Sequence, residues 1–205
     1  MSRDNSPPFN RGEYAAAETD GSLSFVYLEG REYLFEDTDP RATSGSAASR
    51  TGRMVRCRLV RNVSGGNLLP KRLVQFSTDA GRYGSRVSGY ATTTAQEGVP
   101  VDEYLPAAGV PNNALFWVVV SGPALVLSDL AGGANNVITV GQRLVSLTAA
   151  TSGATTAGRV APIDLTGATT PLANQILNTI GQALTAKTTG NTNADVLVEI
   201  QRPHY

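Results

Sequence analysis

The stretch Ala114 to Leu130, ALFWVVVSGPALVLSDL, limits what this chain can fold into more than any other. Leu115 to Val120 is an unbroken apolar run, rich in β-branched and aromatic residues. Its length and bias favour a strand buried on both faces over a helix. Ser121-Gly122-Pro123 bars a regular helix through the middle and reads as a turn, after which Ala124 to Leu127 resumes as a second strand. Trp117, the only Trp, stands at the centre of the first strand. A large ring there fills a core rather than forming a ligand platform. The rest of the chain is expected to wrap around this strand pair.

The flanking sequence is also strand-like. Met54 to Val63 alternates, with Val55, Cys57 and Leu59 on one face, Arg56, Arg58 and Val60 on the other, and Arg53 and Arg61 at the flanks. Leu68 to Phe76 reads as a strand with Pro70 at an edge or bulge. Val87 to Thr94 and Arg159 to Leu165 read as short strands, Val137 to Leu147 as a strand bulged at Gly141, and Val196 to Gln201 as a terminal alternating strand. Thr170 to Ala186 reads as a short helical turn, with a strand beginning near Ile180. An internal echo links Arg72-Leu73-Val74-Gln75-Phe76, followed by Arg86-Val87, to Arg143-Leu144-Val145-Ser146-Leu147, followed by Arg159-Val160. It supports a β-rich fold. The N-terminal part differs: Pro7-Pro8 disfavours regular structure, and Phe9 and Tyr14 stand alone among polar residues. The expected fold class is mainly β: a compact β-barrel-like or β-sandwich-like body with a short helix and an extended N-terminal arm. Residues 1–50 are expected to be arm and linker with a β-hairpin at 22–35, and residues 51–205 a β-rich domain.

Charge is balanced overall, with 17 basic and 17 acidic side chains, so bulk attraction to nucleic acid or an anionic membrane is not expected. It is segregated along the chain, however. Residues 1–40 hold nine of the acids, whereas residues 50–86 hold nine of the bases and a single acid, Asp79. Fifteen of the seventeen bases are Arg, the residue suited to bidentate pairing and to interfaces. The Arg-lined face around 53–61 has three readings: a solvated face neutralised by the acidic N-terminal segment, a docking face for an acidic protein partner, or a nucleic-acid surface. The last lacks the interleaved aromatics that single-strand binding needs.

Little in the chain suits catalysis, so no enzyme activity is expected. The only His, His204, lies one residue from the C-terminus, where chains fray. Cys57, the only Cys, falls on the apolar side of its strand; a disulfide framework and a thiolate zinc site are ruled out. Glu36-Asp37-Thr38-Asp39 lacks calcium-loop spacing, no phosphate loop is present, and Asp164 and Asp195 stand isolated. Asp102 and Glu103, adjacent in an extended loop, would point to opposite sides and make a poor acid–base pair. No cofactor or metal is expected. No apolar run approaches the ~20 residues of a membrane span, and the polar N-terminus is unlike a secretory signal, so a soluble protein made in the cytosol is expected.

The order RNVSGGNLLPKRLVQF, GYATTTAQEGVPVDEYLPAAGVPNNALFWVVVSGPALV, VGQRLV, AGRV, IGQALTA and DVLVEI, over roughly residues 55–201, resembles the head decoration, or cement, proteins of tailed bacteriophages. The resemblance implies a structural virion protein, made in the host cytoplasm and carried on the capsid exterior. Its partner would be the major capsid protein, whose neighbouring subunits it would bridge against internal DNA pressure. It also implies self-association, with trimers at threefold positions fitting the family. Phe9, Tyr14, Arg53, Arg56, Arg58 and Arg61 are then the candidate capsid contacts, and residues 1–20 an arm that orders only on the shell. The competing reading is a tail or fibre accessory module that binds a receptor carbohydrate, with Tyr83, Tyr90 and Tyr104 as candidate contacts.

Overall fold

A computed structural model describes residues 6–18, 22–23, 25–39, 50–91, 98–128, 137–146, 157–163, 176, 179–188 and 194–201. The protein is mainly β: its strands form one mixed sheet of eleven strands, not closed into a barrel. In chain order they are β1 (Tyr14–Ala15), β2 (Glu32–Glu36), β3 (Met54–Asn62), β4 (Leu73–Phe76), β5 (Arg86–Tyr90), β6 (Val99–Pro100), β7 (Leu115–Leu127), β8 (Arg143–Ser146), β9 (Val160–Pro162), β10 (Thr179–Ala183) and β11 (Asp195–Gln201).

β7 is the spine, but it is one strand of 13 residues and not two strands around a turn. Its first half pairs with β3, its second half with β11, and Ser121 is partnered by both Arg56 and Gln201. The Gly-Pro step marks this handover. A register shift between Arg56 and Cys57 leaves Val120 as an extra residue, a bulge that bends the chain without reversing it. Gly122 has φ 97°, and a Cβ there would lie 2.6 Å from the Met54 carbonyl oxygen, so glycine is required. Pro123 costs no ladder bond. Leu125 and Leu127 send their N–H groups to the Glu103 carboxylate and the Lys71 carbonyl, while Ser128 donates to Ala194 in line with β11. By the same alternation, the N–H that Pro123 lacks would point away from β11.

Period-2 alternation on β3 and β7 splits the core between the two faces of the sheet. Val55, Cys57, Leu59, Leu115, Trp117 and Val119 belong to one apolar cluster; Val60, Phe116, Val118 and Val120 belong to the other. Trp117 is fully buried, as its sequence context requires, and carries Phe9, Tyr33 and Phe35 at 5.3, 5.5 and 5.1 Å between ring centroids.

Those three rings correct the N-terminal reading. Among the described residues of 22–35 there is no hairpin: Val26–Leu28 is a 3₁₀ turn, entered through Phe25 with φ 53°, and Glu32–Glu36 pairs with β3. Residue 50 does not part an arm from a body either. β1 pairs with β7, the Trp117 indole donates to the Asn10 carbonyl at 3.2 Å, and Phe9 and Ala15 pack on the main core. The apolar residues of 9–35 that looked isolated in the sequence had partners distant in the chain. A strand does begin at Thr179, near Ile180; ahead of it, the part of Thr170 to Ala186 where the helical turn was expected lies almost wholly outside the described residues, as do residues 1–5 and His204.

The two halves repeat in structure, but one residue out of register with the echo read over β4 and β8: Lys71 corresponds to Gly141, so Arg72 falls on Gln142 and not on Arg143. The chain traces one circuit twice, first from β3 through β4, β5 and β6 to the first half of β7, then from the second half of β7 through β8, β9 and β10 to β11. Leu68 and Val110 exchange two backbone bonds (3.0 and 2.8 Å), as do Ile138 and Lys187 (3.0 and 2.9 Å). Lys71 N–H donates to Val101 and Val101 N–H to Arg72; Gly141 donates to Ala183 and Ala183 to Gln142 in the same pattern. The parallel contact Asn62↔Val87 recurs as Ser128↔Val160. Gly141, expected in a bulge, is therefore a turn residue (φ 84°), the counterpart of Lys71 (φ 62°).

Candidate functional site: a buried charge cluster and an exposed rim

The densest polar chemistry lies where the N-terminal segment meets the body. Gly12 takes φ 83° and aims its N–H at Asp102, 2.6 Å from Oδ2, while Arg11 donates to Oδ1 from Nε and Nη2 at 3.1 and 2.9 Å. Arg50 reaches Asp37 at 2.6 Å and Glu103 at 2.7 Å, and the Thr51 hydroxyl donates to Asp37 at 2.7 Å. Glu103 also accepts the Leu125 N–H. Arg11, Asp37, Asp102 and Glu103 are all buried, and the Arg11 guanidinium lies 4.7 Å from the centre of the Tyr104 ring.

Asp102 and Glu103 therefore converge on one cluster instead of pointing apart. The reason is local: Asp102 donates its N–H to Trp117, Leu105 turns back onto the Asp102 carbonyl, and the segment is a turn where an extended loop was expected. Two guanidiniums face three carboxylates, an excess of one negative charge. Burial raises the Glu103 pKa, against the opposing pull of Arg50, the Leu125 N–H and Arg11, and Asp102 adds to the rise. With Glu103 protonated the cluster is neutral. Burial acts to lower the Arg11 and Arg50 pKa values, but the facing carboxylates outweigh it and both are raised. Burial pushes the Tyr104 hydroxyl up, and Glu103 adds to it. The same cause pushes up the thiol of Cys57, which is free and buried. Such a cluster fastens segments together; it presents no nucleophile to solvent. Among the described residues, no group of three or more His, Cys, Asp or Glu side chains is placed to hold a metal ion.

A second cluster decides the fate of the Arg-lined face. Arg61, expected at a docking surface, is fully buried; it pairs with Glu29 through Nε and donates from Nη1 to the Asn113 carbonyl at 2.6 Å. Arg86 and Arg82 approach the same Glu29 carboxylate at 2.9 and 3.8 Å. Arg58 grips Glu32 at 2.5 Å and Arg56 lies 3.6 Å from it. The acids of the N-terminal segment thus neutralise this face, the first of the three readings its pattern left open. Arg61 can present nothing to a partner. Arg53 remains exposed and pairs with Glu199 at 2.6 Å. Phe9 is half-buried on Trp117, and Tyr14 is partly exposed on β1.

No protein-family model and no curated protein matches this chain. Among solved structures, the crystal structure of the head fiber gp8.5 N base of bacteriophage phi29 aligns with 74% of this chain and 100% of its own, at 16% identity and a TM-score of 0.38. So slight a likeness carries neither a fold nor a function across.

The exposed apolar side chains form the other notable feature. Tyr27, Leu34, Met54 and Tyr83 are 71%, 64%, 52% and 60% exposed. Leu34 stands opposite Arg56 on the β2–β3 ladder and Met54 opposite Glu36, on the same face; Tyr83 reaches it through Phe76, over which the Arg58 guanidinium lies. Of the tyrosines considered for carbohydrate contact, only Tyr83 is exposed. Tyr104 is buried, and the half-buried Tyr90 hydroxyl is held by the Leu69 N–H at 2.9 Å.

Proposed function

We propose that this chain is a structural protein of a tailed-phage virion that binds the outside of the capsid, bridges neighbouring major capsid protein subunits and turns over no substrate. The observation that carries this reading is how the charged groups are spent. Arg11, Arg50, Asp37, Asp102, Glu103, Glu29 and Arg61 are consumed in internal pairing that locks distant segments together, and among the side chains left exposed are Tyr27, Leu34, Met54, Tyr83 and Arg53. Exposed Tyr, Met and Arg side chains are what protein interfaces are enriched in. The resemblance of residues 55–201 to decoration proteins points the same way. Physically, a rigid body that binds two adjoining subunits adds its binding free energy to the cost of parting them, and many copies multiply the effect. Of the proposed contacts, Phe9, Tyr14, Arg53, Arg56 and Arg58 remain accessible wholly or in part.

The test is to mix the purified protein with undecorated, expanded phage heads and image them by cryo-electron microscopy. Density on the outer surface bridging subunits is the expected result. Bare heads, together with binding on a glycan array, would replace this reading with the carbohydrate-binding one.

A further inference from the structure

We propose that a second copy of this chain docks on the open edge of β2, extending the sheet across a two-fold axis centred on Leu34. This proposal is independent of the capsid reading. Among the described residues, β2 is paired on one side only, by β3. The Arg31 carbonyl and the Asp37 N–H both bond toward β3, so the alternation along the strand turns the N–H and C=O groups of Glu32, Leu34 and Glu36 outward. The Glu36 carbonyl also accepts the Thr38 N–H at 2.9 Å, which leaves it a second lone pair. An edge of this kind, carrying a largely exposed Leu, is a template for another strand.

The occupant follows from the sequence of the edge itself. Glu32-Tyr33-Leu34-Phe35-Glu36 is a chemical palindrome: acid, aromatic, Leu, aromatic, acid. An isologous contact needs this self-complementarity. Antiparallel pairing about Leu34 sets Leu34 against Leu34 of the second copy as a hydrogen-bonded pair. On the Trp117 face it sets Tyr33 against Phe35 of the second copy, an aromatic cross-strand pair that occurs twice. The apparent objection is that Glu32 then faces Glu36 of the second copy, and like charges directly opposite repel. Arg58 and Arg56 answer it. Both lie beside Glu32, so the Glu36 carboxylate of the second copy would arrive next to two guanidiniums and not next to a bare carboxylate. Glu36 itself is exposed. A foreign strand would have to reproduce this arrangement by chance, whereas a second copy brings it.

Two substitutions test the contact. Leu34→Pro removes one outward N–H and leaves the β2–β3 bonds in place, since proline is tolerated where an edge strand faces away from its neighbour. Leu34→Cys places two thiols opposite each other with Cα atoms about 5.5 Å apart, within disulfide reach. By light scattering at roughly 100 µM, well above the micromolar dissociation constants of weak contacts, the unmodified protein is expected at twice the chain mass and Leu34→Pro at the chain mass. Leu34→Cys is expected to form a covalent dimer on mild oxidation, while buried Cys57 does not. A monomeric unmodified protein, or a trimer whose Leu34→Cys form does not cross-link, overturns the proposal. Should Leu34→Pro fail to fold, the Leu34→Cys cross-link decides alone. Head binding is read separately on cross-linked dimers, so failure of the capsid reading and failure of this contact are distinguishable.

Discussion

Replacing Asp102 with Asn probes what holds the N-terminal segment to the body. Asp102 is fully buried and accepts three hydrogen bonds, two from Arg11 and one from Gly12, at 2.6 to 3.1 Å. Asn preserves the volume but supplies one acceptor oxygen where there were two, and it turns an NH₂ donor toward groups that are themselves donors. It also leaves Arg11 buried with less compensating charge. Breaking a buried ion pair by removing one partner costs about 3–5 kcal/mol. The segment's other attachments include two ladder residues in β1, the Trp117–Asn10 bond, Phe9 and Ala15 on the core, and the longer Arg11 contacts to Asp37, Glu103 and the Tyr104 ring. The loss is expected to fall locally. Hydrogen exchange over residues 9–16 should accelerate about a hundred- to several-thousand-fold, since every 1.4 kcal/mol is a factor of ten, up to the limit set by full release of the segment. To the extent that release is coupled to global unfolding, the melting temperature should fall by up to about 6–20 °C, at roughly 2–4 °C per kcal/mol for a chain of this size. If exchange over 9–16 stays within tenfold of the unmodified protein and the melt does not move, the cluster does not anchor this segment and the reasoning fails.

Two further outcomes test the same structure. Folding favours the protonated form of Glu103, because its pKa is raised in the folded state. Its stabilising contribution is therefore full below the ordinary glutamate range and is lost as pH rises through the folded value. Glu103→Gln keeps an acceptor for the Leu125 N–H and removes this titration, so urea midpoints measured from pH ~4 upward should decline less steeply in the variant; parallel curves would exclude Glu103 as the titrating group. Gly122→Ala must hold φ near 97° and push a methyl to 2.6 Å from the Met54 carbonyl oxygen. A loss of more than about 1 kcal/mol is expected, read as a lower urea midpoint, and an unchanged midpoint would mean that the β7 bend does not need glycine.

Local periodicity was enough to identify the strands that form the spine of the sheet. The alternation of Val55, Cys57 and Leu59, and the uniform apolarity around Trp117, depend on neighbours one and two residues away, and the burial of these residues agrees with the pattern. The readings that went astray depended on distant neighbours. Ser121-Gly122-Pro123 carries the residues of a turn, yet β3 and β11 hold both halves of β7 in line and the step becomes a bulge. Arg61 was read as flanking a docking face, yet strict alternation carries it onto the face of Val55, Cys57 and Leu59, and its partner there, Glu29, lies thirty-two residues earlier in the chain. The Arg11–Asp102 pair spans ninety-one residues, and no spacing rule links its members. The segregation of acids into residues 1–40 and bases into 50–86 was the one signal available for Arg61–Glu29, Arg58–Glu32 and Arg50–Asp37; it carried no sign of Arg11–Asp102.

β7 belongs to both circuits at once, closing the first and opening the second. A separable pair of domains would allow either half to be lost, exchanged or melted alone. Here a cut on either side of Gly122 would leave one half without its closing strand or the other without its opening one. The two circuits thus share a wall, and load applied to one is expected to pass through that strand to the other.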